Sequence, residues 1–495
     1  MRKYFFLSLL TAVLLFNSCE ITVSFPDYVP ENPNVPINTT RQFWAQDIRN
    51  GSFYSLSAQK LVDGEYCTVW GETGNNRATL TAARSMANAY DTDIYPKMKA
   101  VFSIDNLTYG GYKFKDTMDF ADSYGDEDGK LCILLLDIRD GSTSASSGYV
   151  GGYFYMGDFF ENASMPNSSY KSNERDMIYV DTYPSTPGSP ESNTTLAHEM
   201  QHLMDFVHDV AIRGSLTSGV LTDTWLTEGL SAAAEWVYTG TPDTSRLNWY
   251  NMATTANGSR IITGNNFYAW DQYGDDSNLD DYATVSLFFQ WLRLQTGGSA
   301  NIYSAISRSS HFNYNAIVSS MNGYSDWPTL LKTWLAANYI NAPSGPYGYM
   351  NDDTLKNVKA RTAPSGTRSV NLYPGEGVYS VTNTGFNMPS NNGNIRYAGL
   401  NRNSPAVNDT AIFASGALLT YNVDTNLESR PQAGTTTGVA ASVEAYPESL
   451  SVRAALSGPF AIGARDMLRR NGYEEAIPPF LRFKLKDKYI GDSEN

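Results

Sequence analysis

The sequence predicts an α+β protein: a mixed sheet with a motif-bearing helix and a helical C-terminal subdomain, followed by a β-rich C-terminal domain. Three observations carry that reading. LCILLLDI (131–138) is a short apolar run bounded by DEDG and RDG, as a buried central strand would be. Helix-length segments dominate from Asn193 to Ile340. After about Pro346 the chain changes to short strand-like runs, VNLY, TAIFA, LLTYNV and FLRFKL, separated by Gly, Asn and Pro clusters.

The chain opens MRKYFFLSLLTAVLLFNSC, with Arg2 and Lys3 ahead of an apolar run from Tyr4 to Phe16 and small Ser18 before Cys19. This is an export signal, too short for a comfortable membrane span. A cysteine directly after the run predicts a bacterial lipoprotein-type signal over 1–18, with Cys19 lipidated and anchoring the protein to a membrane of the cell envelope. Phe16 stands where such signals usually carry Leu, so an ordinary secretory signal cut nearby is the alternative reading. Residues 19–40 hold Pro26, Pro30, Pro33 and Pro36 among polar residues, the composition of an extended tether.

Residues 41–95 read as an N-terminal β/α region. It is β-rich from Thr40 to Gly74, with Asp63-Gly64 as a hairpin turn before EYCTVW. A helix follows from Ala78 to near Val101, where Leu80, Ala83, Ala87, Tyr90 and Ile94 recur at spacings of three and four. Residues 96–345 form the expected central α+β domain. Asp126, Asp128 and Gly129 invite a calcium reading, but the later glutamate of an EF-hand loop is missing and a solvated turn explains them. Tyr149–Met156 and Met177–Asp181 are strand candidates; Asn193 is placed to cap the motif helix. Further helices are expected over Trp225–Tyr238, Tyr282–Gln295 and Asp326–Ile340, the last capped by Ser325 with Pro328 in its first turn. Residues 365–487 form the expected β-rich domain.

The full chain carries 36 Lys and Arg against 51 Asp and Glu; removing residues 1–18 takes Arg2 and Lys3 and leaves a formal charge of −17. Such a balance argues against nucleic acid and anionic lipid surfaces as partners. Cys67 and Cys132 either pair in an oxidising compartment or are two small buried hydrophobes. Four histidines in 495 residues make their placement informative.

HEMQH sets His198 and His202 four residues apart, so on a helix both imidazoles point the same way and can hold one Zn²⁺. Glu199 lies about 100° round from His198, beside the metal, where it can take a proton from the attacking water. A catalytic zinc needs a third protein ligand. Glu228, in TWLTEGLSAAAEW, can approach from a neighbouring helix. His208 completes the histidine spacing of H-E-x-x-H-x-x-G-x-x-H, but Asp205 occupies the place of the glycine that turns the chain there. If the helix runs on, His208 points about 80° away from His198.

HEMQH followed by WLTEGLS resembles the gluzincin zinc metallopeptidases. The string AHEMQHLMDF, with the Tyr- and Gly-rich strand region before it, most resembles the hyicolysin family of secreted bacterial metallopeptidases. The resemblance covers roughly residues 95–340. It implies a zincin-like catalytic domain and one catalytic Zn²⁺ held by His198, His202 and Glu228. It further implies Glu199 as general base and acid, and protein or peptide substrates. Glu235, seven residues after Glu228 on the same face, is a candidate support for the ligands, and Tyr282 or His311 for the oxyanion.

Overall fold

The structure, a computed structural model, describes residues 36–124, 129–143, 149–252, 261–262, 264–265, 267–270, 278–363, 366–382 and 387–438. The signal over 1–18, Cys19, most of the tether, Asp126, Asp128 and the FLRFKL run lie outside the described residues.

β1 (Thr40–Asp47), β2 (Ser52–Asp63) and β3 (Cys67–Glu72) form an antiparallel meander. The turn expected at Asp63-Gly64 is there, with Gly64 N–H donating to Cys67 O at 2.8 Å. The helical stretch that follows runs as α1 (Leu80–Ala89), a π turn (Tyr90–Ile94) and α2 (Tyr95–Phe102). Ala83, Ala87, Tyr90 and Ile94 are buried, as their spacing requires. Leu80 is 42% exposed, because it is the first helical residue after the Thr79 cap and overhangs the packed face.

β4 (Asp105–Tyr109) and β5 (Tyr112–Asp116) make a hairpin that feeds the short α3 (Thr117–Ala121). β6 (Leu131–Leu136) is the anticipated central strand. With β7 (Gly152–Phe154) and β8 (Met177–Asp181) it completes a six-stranded sheet of order β1-β2-β3-β6-β8-β7. β3, β6 and β8 run parallel, while β7 is an antiparallel edge strand shorter than the run expected over Tyr149–Met156. All of β6 is buried because both faces are covered. Leu131, Ile133 and Leu135 join the core beneath the helices, whereas Cys132, Leu134 and Leu136 pack with Phe43, Trp70, Tyr153 and Tyr179. Cys67 pairs in register with Leu131, and Thr68 with Cys132, so the two cysteines fall on opposite faces. Both are buried, and no disulfide joins them.

α4 (Pro190–Ala211) begins earlier than expected. Ser189, not Asn193, is its cap: Ser189 Oγ accepts from Ser192 N, and Pro190, with its preset φ, takes the first helical position. Asn193 lies inside the helix with its N–H on Ser189 O. α5 (Ser215–Ser218), α6 (Thr224–Thr239), α7 (Thr244–Met252), α8 (Asn278–Gln295), α9 (Asn301–Ser307), α10 (Asn315–Val318) and α11 (Trp327–Ile340) follow. The expected helices over 225–238, 282–295 and 326–340 are α6, α8 and α11. α11 is capped by Asp326, whose carboxylate accepts from Thr329 N at 2.8 Å; Ser325 donates to that carboxylate instead of capping.

The C-terminal strands are β9 (Gly366–Leu372), β10 (Gly377–Thr382), β11 (Ile395–Asn401), β12 (Ala406–Asn408), β13 (Gly416–Asn422) and β14 (Gln432–Gly438). They form a four-stranded antiparallel sheet, β10-β13-β11-β12, and a β14-β9 pair. TAIFA is not a strand: Asn408 Oδ1 accepts from the N–H groups of Thr410 and Ala411 and turns the chain there. Tyr379, Leu400, Ala417 and Leu419 pack into the same core as Leu335 of α11. No helix among the described residues is long and apolar enough to cross a membrane.

Candidate metal centre

α4 and α6 pack face to face and bring the motif residues together. The i, i+4 spacing puts His198 and His202 on the face of α4 that meets α6. Their Nε2 atoms are 3.2 Å apart. Glu228 Oε2 reaches in from α6 to 3.2 Å from His198 Nε2 and 3.5 Å from His202 Nε2. Among the described residues these three form a group whose donor atoms all lie within 4.8 Å of one another, and all three side chains are buried.

Two observations test whether a metal fits. Glu228 Oε1 is buried with no hydrogen-bond partner among the described residues, a cost that a cation would remove. Each imidazole also has its other nitrogen occupied. His198 Nδ1 lies 2.7 Å from Glu235 Oε1 and His202 Nδ1 lies 3.1 Å from Thr227 Oγ1, so both Nε2 atoms turn to the cluster. Two imidazoles and one carboxylate, with outer partners on the imidazoles, are a donor set suited to Zn²⁺.

The electrostatics agree. Burial disfavours a charged imidazole, yet the Glu228 and Glu235 carboxylates overcome it and push His198 up to about 10. Burial pushes the Glu228 carboxyl up, but the facing imidazoles outweigh it and hold the group well below the usual carboxylate range. A pocket that so favours added positive charge favours a cation.

Glu199 stands beside this group and outside it. It is buried, which raises its pKa, and Oε2 accepts a hydrogen bond from Phe154 N on edge strand β7 at 3.0 Å. The approach of α4 to β7 requires a glycine. A Cβ at Gly152 would stand 2.9 Å from Thr195 Cγ2 and from Tyr179 O, and 3.4 Å from Glu199 Cγ.

His208 is elsewhere. α4 continues through Asp205 to Ala211, and His208 lies against α3, its Nε2 2.9 Å from Thr117 Oγ1. Burial, with the charge of Arg213 nearby, pulls it down to about 3, so it is a neutral core histidine. Asp205 does not turn the chain; its Oδ1 accepts from Arg213 Nη1 at 3.0 Å. Tyr282 on α8 is buried, its ring centroid 6.4 Å from that of His198. His311 is exposed in the loop between α9 and α10.

Sequence reasoning missed three participants. Thr227 is hidden as an ordinary helical residue beside Glu228. Phe154 acts through its backbone, which no side-chain pattern reveals. Arg246 donates to Glu235 Oε1 from α7, a helix the sequence reading had not marked, and its guanidinium carbon lies 5.5 Å from the Tyr282 ring centroid.

A His-His-Glu group on two adjacent helices of a mixed α+β body is compatible with an H-E-x-x-H zinc site. The chain resembles a known metalloprotease in sequence. The neutral metalloprotease ShpI of Staphylococcus hyicus is 29% identical to it over 280 residues, 55% of this chain and 55% of that protein. The match thus spans about half the length of the curated relative. No family model matches the chain.

Proposed function

We propose that the chain is a zinc metalloendopeptidase in which His198, His202 and Glu228 hold the metal and Glu199 is the general base. The observation that carries this reading is the convergence of Glu228 on two imidazoles already oriented from behind, with one carboxylate oxygen left unpartnered. Zinc bound there would polarise the scissile carbonyl and acidify the attacking water. Glu199, anchored through Oε2 to Phe154 N, keeps its other carboxylate oxygen to take the water proton and return it to the leaving amine. Burial of Glu199 raises its proton affinity toward that of a group that both takes and gives a proton. Tyr282, buried beside His198, supports the oxyanion better than exposed His311.

Export with lipidation at Cys19 belongs to the same proposal and rests on Arg2, Lys3 and the apolar run before Cys19. So does the division into 41–95, a catalytic unit over 96–345 and a β-rich unit over 365–487. Labelling with a radioactive fatty acid, in wild type and in Cys19→Ala, tests the anchor.

The central test pairs zinc content by elemental analysis with hydrolysis of a generic protein substrate, for wild type and Glu199→Gln. About one zinc in both proteins, with cleavage only by wild type, is the expected result. Zinc in both with cleavage by neither makes the chain either an uncleaved precursor or a binding protein on a peptidase frame. A wild type without zinc overturns the reading.

A further inference from the structure

β7 is the shortest strand of the six-stranded sheet and the one that meets Glu199. It is three residues long, pairs only with β8, and at Gly152 has no side chain to pack. A segment with so few bonds opens more readily than the strands around it. Its last residue is Phe154, whose N–H donates to Glu199 Oε2 at 3.0 Å. Whatever keeps β7 in place therefore keeps that carboxylate in place.

The face of the sheet away from α4 supplies the fastening. A flat six-stranded sheet would separate β1 from β7 by about 24 Å. Here Gln46 N of β1 donates to Tyr153 Oη of β7 at 3.1 Å, so the sheet is curled until its two edges face each other. Tyr153 stacks on Tyr179 directly across the ladder, with ring centroids 4.1 Å apart. Beyond Phe154 the chain enters a short 3₁₀ turn (Met156–Phe159), in which Asp158 is 1% exposed. A buried carboxylate is costly unless its oxygens are bonded. Both are: Oδ2 accepts from Tyr179 Oη at 2.7 Å, and Oδ1 accepts from Asn173 N at 2.6 Å. Asn173 in turn stands in for a neighbouring strand on the outer edge of β1, its Oδ1 accepting from Trp44 N at 2.8 Å and its Nδ2 donating to Trp44 O at 2.9 Å. Asp158 thus ties the outgoing end of β7 to β8 and, through Asn173, to β1.

We propose that Asp158 is a positioning residue for the hydrolysis: by holding the end of β7 through Tyr179 and Asn173, it fixes the Phe154 N–H that orients Glu199. This rests on the reading of Glu199 as general base. Asp158 stands four positions after Phe154, and the turn between them is closed by Asp158 N–H donating to Tyr155 O at 3.1 Å, so a shift at one end passes to the other. On the α4 side the Phe154 ring meets Phe159 and Phe206, with centroids 5.9 Å from each, which couples the same turn to the helix that carries Glu199.

The test compares wild type, Asp158→Ala, Tyr179→Phe and, as a control, Val370→Ala at a buried site in the C-terminal strands, all as the full chain. Four quantities are read: kcat on labelled casein, zinc affinity by competition with a chromophoric chelator, the thermal midpoint, and hydrogen exchange at the Phe154 amide in the metal-free protein. In Asp158→Ala we expect kcat to fall about 10- to 100-fold and the Phe154 amide to exchange about tenfold faster or more, with zinc affinity at the wild-type value. Tyr179→Phe keeps the ring stack and removes the hydroxyl, and should show both changes by a smaller factor. Val370→Ala should lower the thermal midpoint and leave kcat unchanged, which separates local release of β7 from a general loss of stability. A folded Asp158→Ala with wild-type kcat, with wild-type exchange at Phe154, or with zinc affinity lost in step with kcat overturns the proposal. Where Asp158→Ala does not fold, the same results in Tyr179→Phe overturn it. If wild type neither binds zinc nor cleaves, the reading of Glu199 fails and takes the catalytic part with it, while exchange at Phe154 still decides whether Asp158 holds β7.

Discussion

Phe289 of α8 lies over Gly229 of α6 so closely that a Cβ at Gly229 would overlap its ring. The residue next to Glu228 is thus the point at which two buried helices meet, and only glycine fits. Gly229→Ala should destabilise the fold by about 1–3 kcal/mol through overpacking. It should also weaken zinc retention, because relief of the clash moves α6. Urea titration and metal analysis of the variant check both; an unchanged midpoint would mean that the helices separate freely.

Glu228→Gln and His208→Gln should behave in opposite ways toward metal. The first removes a member of the converging group, and zinc content should fall well below one per chain. The second alters a neutral histidine bonded to Thr117, and zinc content should stay at the wild-type value. The reverse pattern would reinstate His208 as the third ligand.

Acid should destabilise the protein through His208. Burial holds its folded pKa near 3, below the unfolded value of about 6.5. Between those values the unfolded chain binds a proton that the folded chain refuses, so stability is fullest above pH 6.5 and falls as the pH drops toward 3, by at most about 5 kcal/mol. Denaturation midpoints from pH 7 to pH 4 should fall less steeply in His208→Gln than in wild type. Parallel curves would show that His208 accepts its proton in the fold.

Glu235→Gln should lower zinc affinity about 10- to 100-fold without removing a ligand. The amide is a weaker acceptor for His198 Nδ1–H and leaves the buried Arg246 charge paired with Asp243 alone, at 3.3 Å. Equilibrium dialysis against a zinc buffer reads the change; wild-type affinity would reduce Glu235 to a packing role.

The parts legible in the sequence are those where a local pattern and the final packing coincide. LCILLL is a central strand because nothing but two-sided burial accommodates it, and HEMQH has a geometry fixed by helical period alone. Glu228 was legible as the favoured of two candidates through the WLTEG string, and the straight run of α4 through Asp205 keeps His208 apart from the motif histidines. The caps were misplaced because Ser189 with Pro190, and Asp326 with Ser325, present several competing side-chain acceptors within a few residues. TAIFA reads as a strand from its apolar residues, but the preceding Asn408 captures the backbone first. Arg246 and Phe154 were not legible, since each acts through a contact distant in sequence: Arg246 with Glu235, and Phe154 N–H with Glu199.

The two cysteines sit one register step apart on neighbouring parallel strands, each facing a different core. The sheet is a wall between them, and their thiols cannot meet while it stands. In an oxidising medium a Cys67–Cys132 bond can therefore form only in a chain that has opened, and once formed it bars the way back. Such a bond would be a scar of past unfolding, and its abundance in aged protein would count the molecules that once came apart.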